Sequence, residues 1–87
     1  MYFTYILKLN NNNLYTGSTS NIKQRLNDHN LGRVKSTKSK RPVKLIYFEV
    51  YKLKSDAQRR ERFLKTTEGK RLLRQQLRDI LKEEKVI

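Results

Sequence analysis

The chain has 87 residues, 36% hydrophobic and 33% charged, enough for one domain with a modest core and too few for a second. Lysine and arginine number 21 against 8 acids, a formal net charge of +13, and such a surplus favours a polyanionic partner, most simply nucleic acid. The lack of cysteine excludes disulfides and thiolate metal sites. No stretch reaches the ~20 apolar residues of a membrane span, and the first nine residues lack the basic start and apolar run of a signal peptide. A cytoplasmic protein without a membrane anchor is therefore expected.

Tyr2 to Leu9 (YFTYILKL) is aromatic and β-branched, with apolar side chains on both faces, and reads as a strand. The tract Asn10 to Asn13 follows, and asparagine tolerates positive φ, so a hairpin loop is expected there. A short strand, Leu14 to Gly17, leads through the polar turn Ser18–Ser20 into a helix from Asn21 to about Asn30. Ser20 or Asn21 supplies the capping oxygen, and Gly32 stands where a left-handed C-terminal residue is wanted. On that helix Ile22, Arg25, Leu26 and His29 recur at spacings of three and four, so they share one face.

Arg33 to Arg41 (RVKSTKSKR) is a basic loop whose Lys35, Lys38, Lys40 and Arg41 suit a phosphate backbone as well as they suit solvent. Pro42 ends it. Val43 to Tyr51 (VKLIYFEVY) is the strongest strand in the chain and apolar on both faces, which predicts helices covering both sides of it. Ser55 with Gln58 forms a capping-box pattern opening a helix to about Lys65. Thr66 to Gly69 interrupts it, and a last helix covers roughly residues 71–84, with Leu73, Leu77, Ile80 and Leu81 as its inward stripe. The expected fold is a single α+β domain, residues 1–87, with a three-stranded, mainly antiparallel sheet flanked by helices in the order β-β-α-β-α-α.

Glu61 is the most informative acid. It lies four residues after Ala57 and three before Leu64, on the inward stripe of a helix whose other positions are largely basic. An inward carboxylate must be paired or must bind a cation. The residues alone leave both readings open: an internal ion pair with a neighbouring arginine, or a magnesium-like site completed by waters and substrate phosphates. His29, four residues after Arg25, places an imidazole and a guanidinium where they can face one phosphate.

Phe3-Thr4-Tyr5, nine residues, and then Tyr15-Thr16-Gly17 resemble the paired motif of the GIY-YIG nuclease superfamily. The first element keeps only its tyrosine, and the second keeps tyrosine and glycine. The continuation Gly17 to Ile22, Arg25-Leu26, His29 and Gly32 resembles the small stand-alone bacterial members and the N-terminal nuclease domain of the excinuclease. Ala57-x-x-Arg60-Glu61 is similar to the family's later helix. The resemblance covers a catalytic core of about residues 2–75. It implies a metal-dependent DNA endonuclease using Mg²⁺ or Mn²⁺, serving repair or recombination.

Carried over, Tyr5 and Tyr15 flank the attacking water with one of them as base, and Arg25 stabilises charge on the scissile phosphate. Glu61 holds the metal, and His29 supports a tyrosine or the phosphate. Phe3 and Thr4 depart from the first motif, and the late asparagine of some relatives has no counterpart after Asn30. No further DNA-binding domain is expected beside the core, so target choice would rest on the basic surface or a protein partner. A module that binds DNA or RNA without cutting it is the alternative.

One geometric condition follows. Both tyrosines must lie on one face of the first hairpin, with Arg25, His29 and Glu61 opening onto it. A two-residue loop at Asn11-Asn12 separates them. A three-residue loop, Asn11 to Asn13, pairs Asn10 with Leu14 and unites them, about 13 Å apart along the strands. An odd-length loop or a bulge with one asparagine at positive φ is therefore expected.

Overall fold

The computed structural model describes residues 1–86. Three strands, β1 (Tyr2–Lys8), β2 (Leu14–Thr19) and β3 (Lys44–Tyr51), form one antiparallel sheet in the order β2-β1-β3. Helix α1 (Ile22–Asn30) follows β2. Helices α2 (Lys54–Leu64), α3 (Thr67–Gln76) and α4 (Arg78–Glu83) follow β3. The expected α+β class and order hold, with the last predicted helix broken at Leu77, whose φ of −103° and ψ of 22° lie off helical values.

The hairpin loop has three residues, Asn10 to Asn12. Lys8 pairs with Leu14, Leu9 N–H donates to Asn13 O, and Asn12 adopts φ 67°. The odd length and the left-handed asparagine are as expected, but the register is two residues tighter than the Asn10–Leu14 pairing. Tyr15 stands opposite Leu7 rather than Leu9. The two tyrosine rings therefore touch, with centroids 6.5 Å apart, instead of being separated by four residues of strand.

Because β1 is central, it is the strand covered on both faces, and Thr4 to Leu7 are all buried. Tyr5, Leu7 and Leu9 face α1 and pack with Val43, Ile22 and Leu26. Thr4 and Ile6 face the other way. Thr4 Oγ1 donates to Ala57 O of α2 at 2.8 Å, and Ile6 lies among Leu64, Leu73, Leu77, Leu81 and Val86. The strand that looked doubly covered, β3, is an edge strand, and Phe48 and Val50 remain 47% and 50% exposed. A bulge at Ile46, between the Ile6–Tyr47 and Leu7–Leu45 pairs, turns both Ile46 and Tyr47 toward the larger core cluster.

Local signals at α1 are realised. Asn21 caps it by accepting from Gln24 N–H at 3.0 Å, and Gly32 adopts φ +78° just beyond it. The capping box at Ser55 does not form. Leu53 is the N-cap of α2 and has no side-chain bond, because the helix begins two residues earlier than a Ser55 cap implies, at Lys54. Thr66 caps α3 instead, accepting from Gly69 N–H at 3.0 Å, so Thr67 to Gly69 form its first turn rather than an interruption. A Cβ on Gly69 would strike the Phe63 carbonyl, which is why α3 can fold so closely back on α2.

Candidate active site at the β2 edge

Tyr5 and Gly17 are direct partners across β1 and β2, and the Tyr5 ring lies over the glycine. A Cβ there would come within 2.5 Å of Tyr5 Cζ and closer still to the hydroxyl. The second motif's glycine therefore exists to let the first motif's tyrosine reach the sheet edge. Its phenol is met by two groups from α1. Arg25 Nε–H donates to Tyr5 Oη at 3.3 Å, and His29 Nε2 stands 2.9 Å away. The Tyr15 ring packs edge-on against the imidazole at 5.1 Å. The three-and-four spacing of residues 22, 25, 26 and 29 delivers all of this from one helix face.

Burial pushes the Tyr5 phenol above its ordinary value, with the Arg25 hydrogen bond and charge opposing and the charges of Tyr15 and Glu61 assisting. His29 is lowered from its usual 6.5 by burial first and by Arg25 second, so it is neutral near pH 7. It is 0% exposed. The expectation that Arg25 and His29 face one phosphate together is therefore corrected: His29 supports Tyr5 from behind, and Arg25 alone is half-exposed. His29 Nδ1 meets the hydroxyl of Thr37 at 2.7 Å. Thr37 is a second wholly buried polar residue, and sequence reasoning missed it because it sat inside a stretch read only for its charge.

Glu61 reaches the site from the other face. Ser18 pairs with Thr4 and points toward α2, where its hydroxyl donates to Glu61 Oε1 at 2.6 Å. Thus Glu61 does not open onto the tyrosine face as expected. It stands around the edge of β2, near enough for its charge to bear on the Tyr5 phenol. Its ion-pair partner is a lysine rather than an arginine: Lys65 Nζ donates to Oε2 at 2.8 Å. Burial works against its charge, but the hydrogen bonds from Lys65 and Ser18 outweigh it and hold the carboxyl below the ordinary range. No group of three metal-ligating side chains occurs among the described residues.

A family model for the GIY-YIG catalytic domain matches residues 1–75. The chain belongs to the GIY-YIG family. A UPF0213 protein of Staphylococcus haemolyticus is 47% identical over 66 residues, 75% of this chain and 80% of that protein. A UPF0213 protein of Clostridium perfringens is 46% identical over 66 residues, 75% of this chain and 71% of its own. The solution structure of a UPF0213 protein from Bacillus halodurans has a TM-score of 0.53 at 28% identity, covering 84% of this chain and 82% of that one.

In GIY-YIG terms, both motif tyrosines, Arg25 and His29 come together on one face, and Glu61 stands on the other, around the edge of β2. Of the basic-loop residues, Lys35 and Lys38 are exposed and Lys40 is half-exposed. Arg41 is engaged in holding the loop: Nε donates to Lys38 O at 2.8 Å and Nη1 to Asn30 O at 3.5 Å, with the guanidinium packed over Gly32. No helix among the described residues is long and apolar enough to cross a membrane.

Proposed function

We propose that the protein is a divalent-metal-dependent endonuclease that hydrolyses phosphodiester bonds in DNA. The family establishes a nuclease-type catalytic domain; the finer reading rests on the meeting of Tyr5, Tyr15 and Arg25 on one face, with an ionised Glu61 around the edge of β2, near enough for its charge to bear on the Tyr5 phenol. A guanidinium carries five N–H donors and the Tyr5 phenol takes one, so Arg25 keeps donors for non-bridging phosphate oxygens. Its charge also favours ionisation of the Tyr5 phenol, which burial opposes, as a base for water requires. Lys35, Lys38 and Lys40 extend the positive surface along the backbone of a bound strand.

The donor set fits one hard cation. Glu61 is an oxygen ligand, ionised and half-buried, and each carboxylate oxygen has one neutral or cationic donor and a lone pair to spare. Glu61 would hold Mg²⁺ or Mn²⁺, with waters and substrate oxygens as its other ligands. The ion, when bound, neutralises charge on the phosphate. Ser18 orients the carboxylate, and the exposed Lys65 occupies it otherwise. That Lys65–Glu61 pair is the observation on the side of a non-catalytic binding module.

The two readings separate in one experiment. Single-stranded, duplex and branched DNA are incubated with the protein in Mg²⁺, Mn²⁺ or EDTA, alongside Glu61→Gln. Cleavage that needs the metal and disappears in the variant is expected. Binding without cleavage on every substrate would leave only the module.

A further inference from the structure

The loop from Arg33 to Arg41 does more than carry charge. It leaves α1 through the left-handed Gly32 and is tied back by Arg33 N–H to Asp28 O at 2.9 Å. The 3₁₀ turn Lys38–Lys40 and the Arg41 clamp close it. Along it Val34 and Thr37 are buried while Lys35, Ser36 and Lys38 are exposed. The fold therefore carries one hydroxyl back beneath the only histidine of the chain.

The protons at this point can be counted. Tyr5 Oη has one proton and two lone pairs, and it receives the Arg25 Nε–H. Neutral His29 has one N–H, on either nitrogen. If the proton were on Nε2 it would point at Tyr5, and the Tyr5 proton would have no acceptor among the described residues. Its hydroxyl meets only His29 and Arg25 among the described partners, in a side chain 2% exposed. If the proton is on Nδ1, every one finds a place. Nδ1–H donates to Thr37 Oγ1, the Thr37 hydroxyl donates to Val34 O at 3.5 Å, and Tyr5 O–H donates to Nε2. No buried side-chain polar atom is left without a partner among the described residues.

We propose that Thr37 is a positioning residue of this site, holding His29 as the Nδ1–H tautomer so that Nε2 accepts the Tyr5 phenol proton. The chain then runs in one direction: Arg25 to Tyr5 to His29 to Thr37 to a backbone carbonyl. Its use in cleavage rests on the nuclease reading. Its existence does not. When Tyr5 acts, its O–H bond breaks and an N–H bond forms at Nε2. The phenolate is left against the Arg25 guanidinium and the imidazolium against the Thr37 oxygen.

The single histidine makes the test direct. Ring ¹⁵N–¹H correlation spectra at about pH 8, above the ordinary imidazole range, distinguish the protonated nitrogen by its cross-peak pattern. Wild type is expected to show protonated Nδ1. Thr37→Ser keeps the hydroxyl and should keep the tautomer. Thr37→Val, similar in shape, should shift the proton toward Nε2 and lower kcat by about 10-fold to 100-fold, as loss of such orienting partners does, with KM nearly unchanged. Protonated Nε2 in wild type, or an unchanged tautomer in folded Thr37→Val, overturns the proposal. Should the valine variant not fold, the wild-type and serine spectra still decide it, since Nε2–H in either one refutes the assignment. Absence of cleavage by wild type with Nδ1 protonated would refute the nuclease reading and leave the tautomer assignment standing.

Discussion

The two edges of the sheet each hold a half-buried carboxylate, and they are held differently. At the β3 edge, Glu49 accepts from Tyr47 and Tyr51 hydroxyls at 2.7 and 2.6 Å and from Arg60 Nε and Nη2 at 3.0 and 3.1 Å. Gln76 adds a bond to Tyr47 Oη at 3.2 Å. At the β2 edge, Glu61 has one hydroxyl and one exposed lysine. Arg60 and Glu61 are consecutive on α2, and the 100° between neighbours on a helix lets one segment serve both edges. Burial opposes ionisation at both acids, and donors overcome it at both. One acid is saturated and fixes α2 to the sheet; the other keeps lone pairs open. The ion pair with arginine weighed for Glu61 exists, at Glu49.

Glu61→Gln should break this contrast most visibly. Metal-dependent cleavage should fall on the order of 10²-fold or more, the scale of losing a main electrostatic stabiliser. The melting temperature should hardly change, since an exposed lysine pair contributes little. Gel-based cleavage beside a thermal melt tests both halves; a collapsed fold would make Glu61 a second Glu49.

Arg25→Lys should cost cleavage about as much as Arg25→Ala, on the order of 10²-fold, because a point charge cannot bond the Tyr5 phenol and a phosphate as a planar fork does. Recovery of most of the activity by lysine in single-turnover assays would reduce Arg25 to an attractant.

Glu49→Ala should show the reverse profile. Removing the acceptor leaves Arg60 and two tyrosines unpaired, a loss of about 2–3 kcal/mol for a mostly buried network, read by urea denaturation. Cleavage per folded molecule should survive below the melting range. Tyr51, pushed up to about 12 by burial and the bond to Glu49, should then titrate nearer its ordinary value.

Gly17→Ala tests the crossing of Tyr5 over β2. The added methyl must displace the phenol, at a cost of about 1–3 kcal/mol, and the His29–Tyr5 hydrogen bond should be lost from the ring ¹⁵N spectrum. Unchanged stability would mean that β2 shifts outward freely.

The smallest effect is in pH. His29 is lowered on folding, so between the folded value and 6.5 the unfolded chain binds the extra proton. Its contribution to stability is complete above 6.5 and lost as pH falls through that window. Glu49 and Glu61, depressed from 4.5, add a second decline further down. Denaturation midpoints across pH should show the upper decline in wild type and not in His29→Asn.

Element types were readable from the sequence because helix and strand periods, the Asn21 cap and the left-handed Gly32 are local properties of a few neighbouring residues. The parity argument on the asparagine loop also succeeded, since a one-residue change in loop length exchanges the faces of a strand. Helix spacing put Arg25 and His29 on one face, and the family resemblance, not spacing, implied that they meet Tyr5 and Tyr15. Tertiary structure alone decided that β1, not the more apolar β3, is central, and that α2 lies on the face away from the tyrosines. It also decided that Thr37 sits under His29, Ser18 holds Glu61, and Arg60 belongs to Glu49 across 11 residues. Those partnerships depend on strand order and on where loops return. A hydroxyl or carboxylate carries no mark in sequence of which distant donor the packed chain will place beside it.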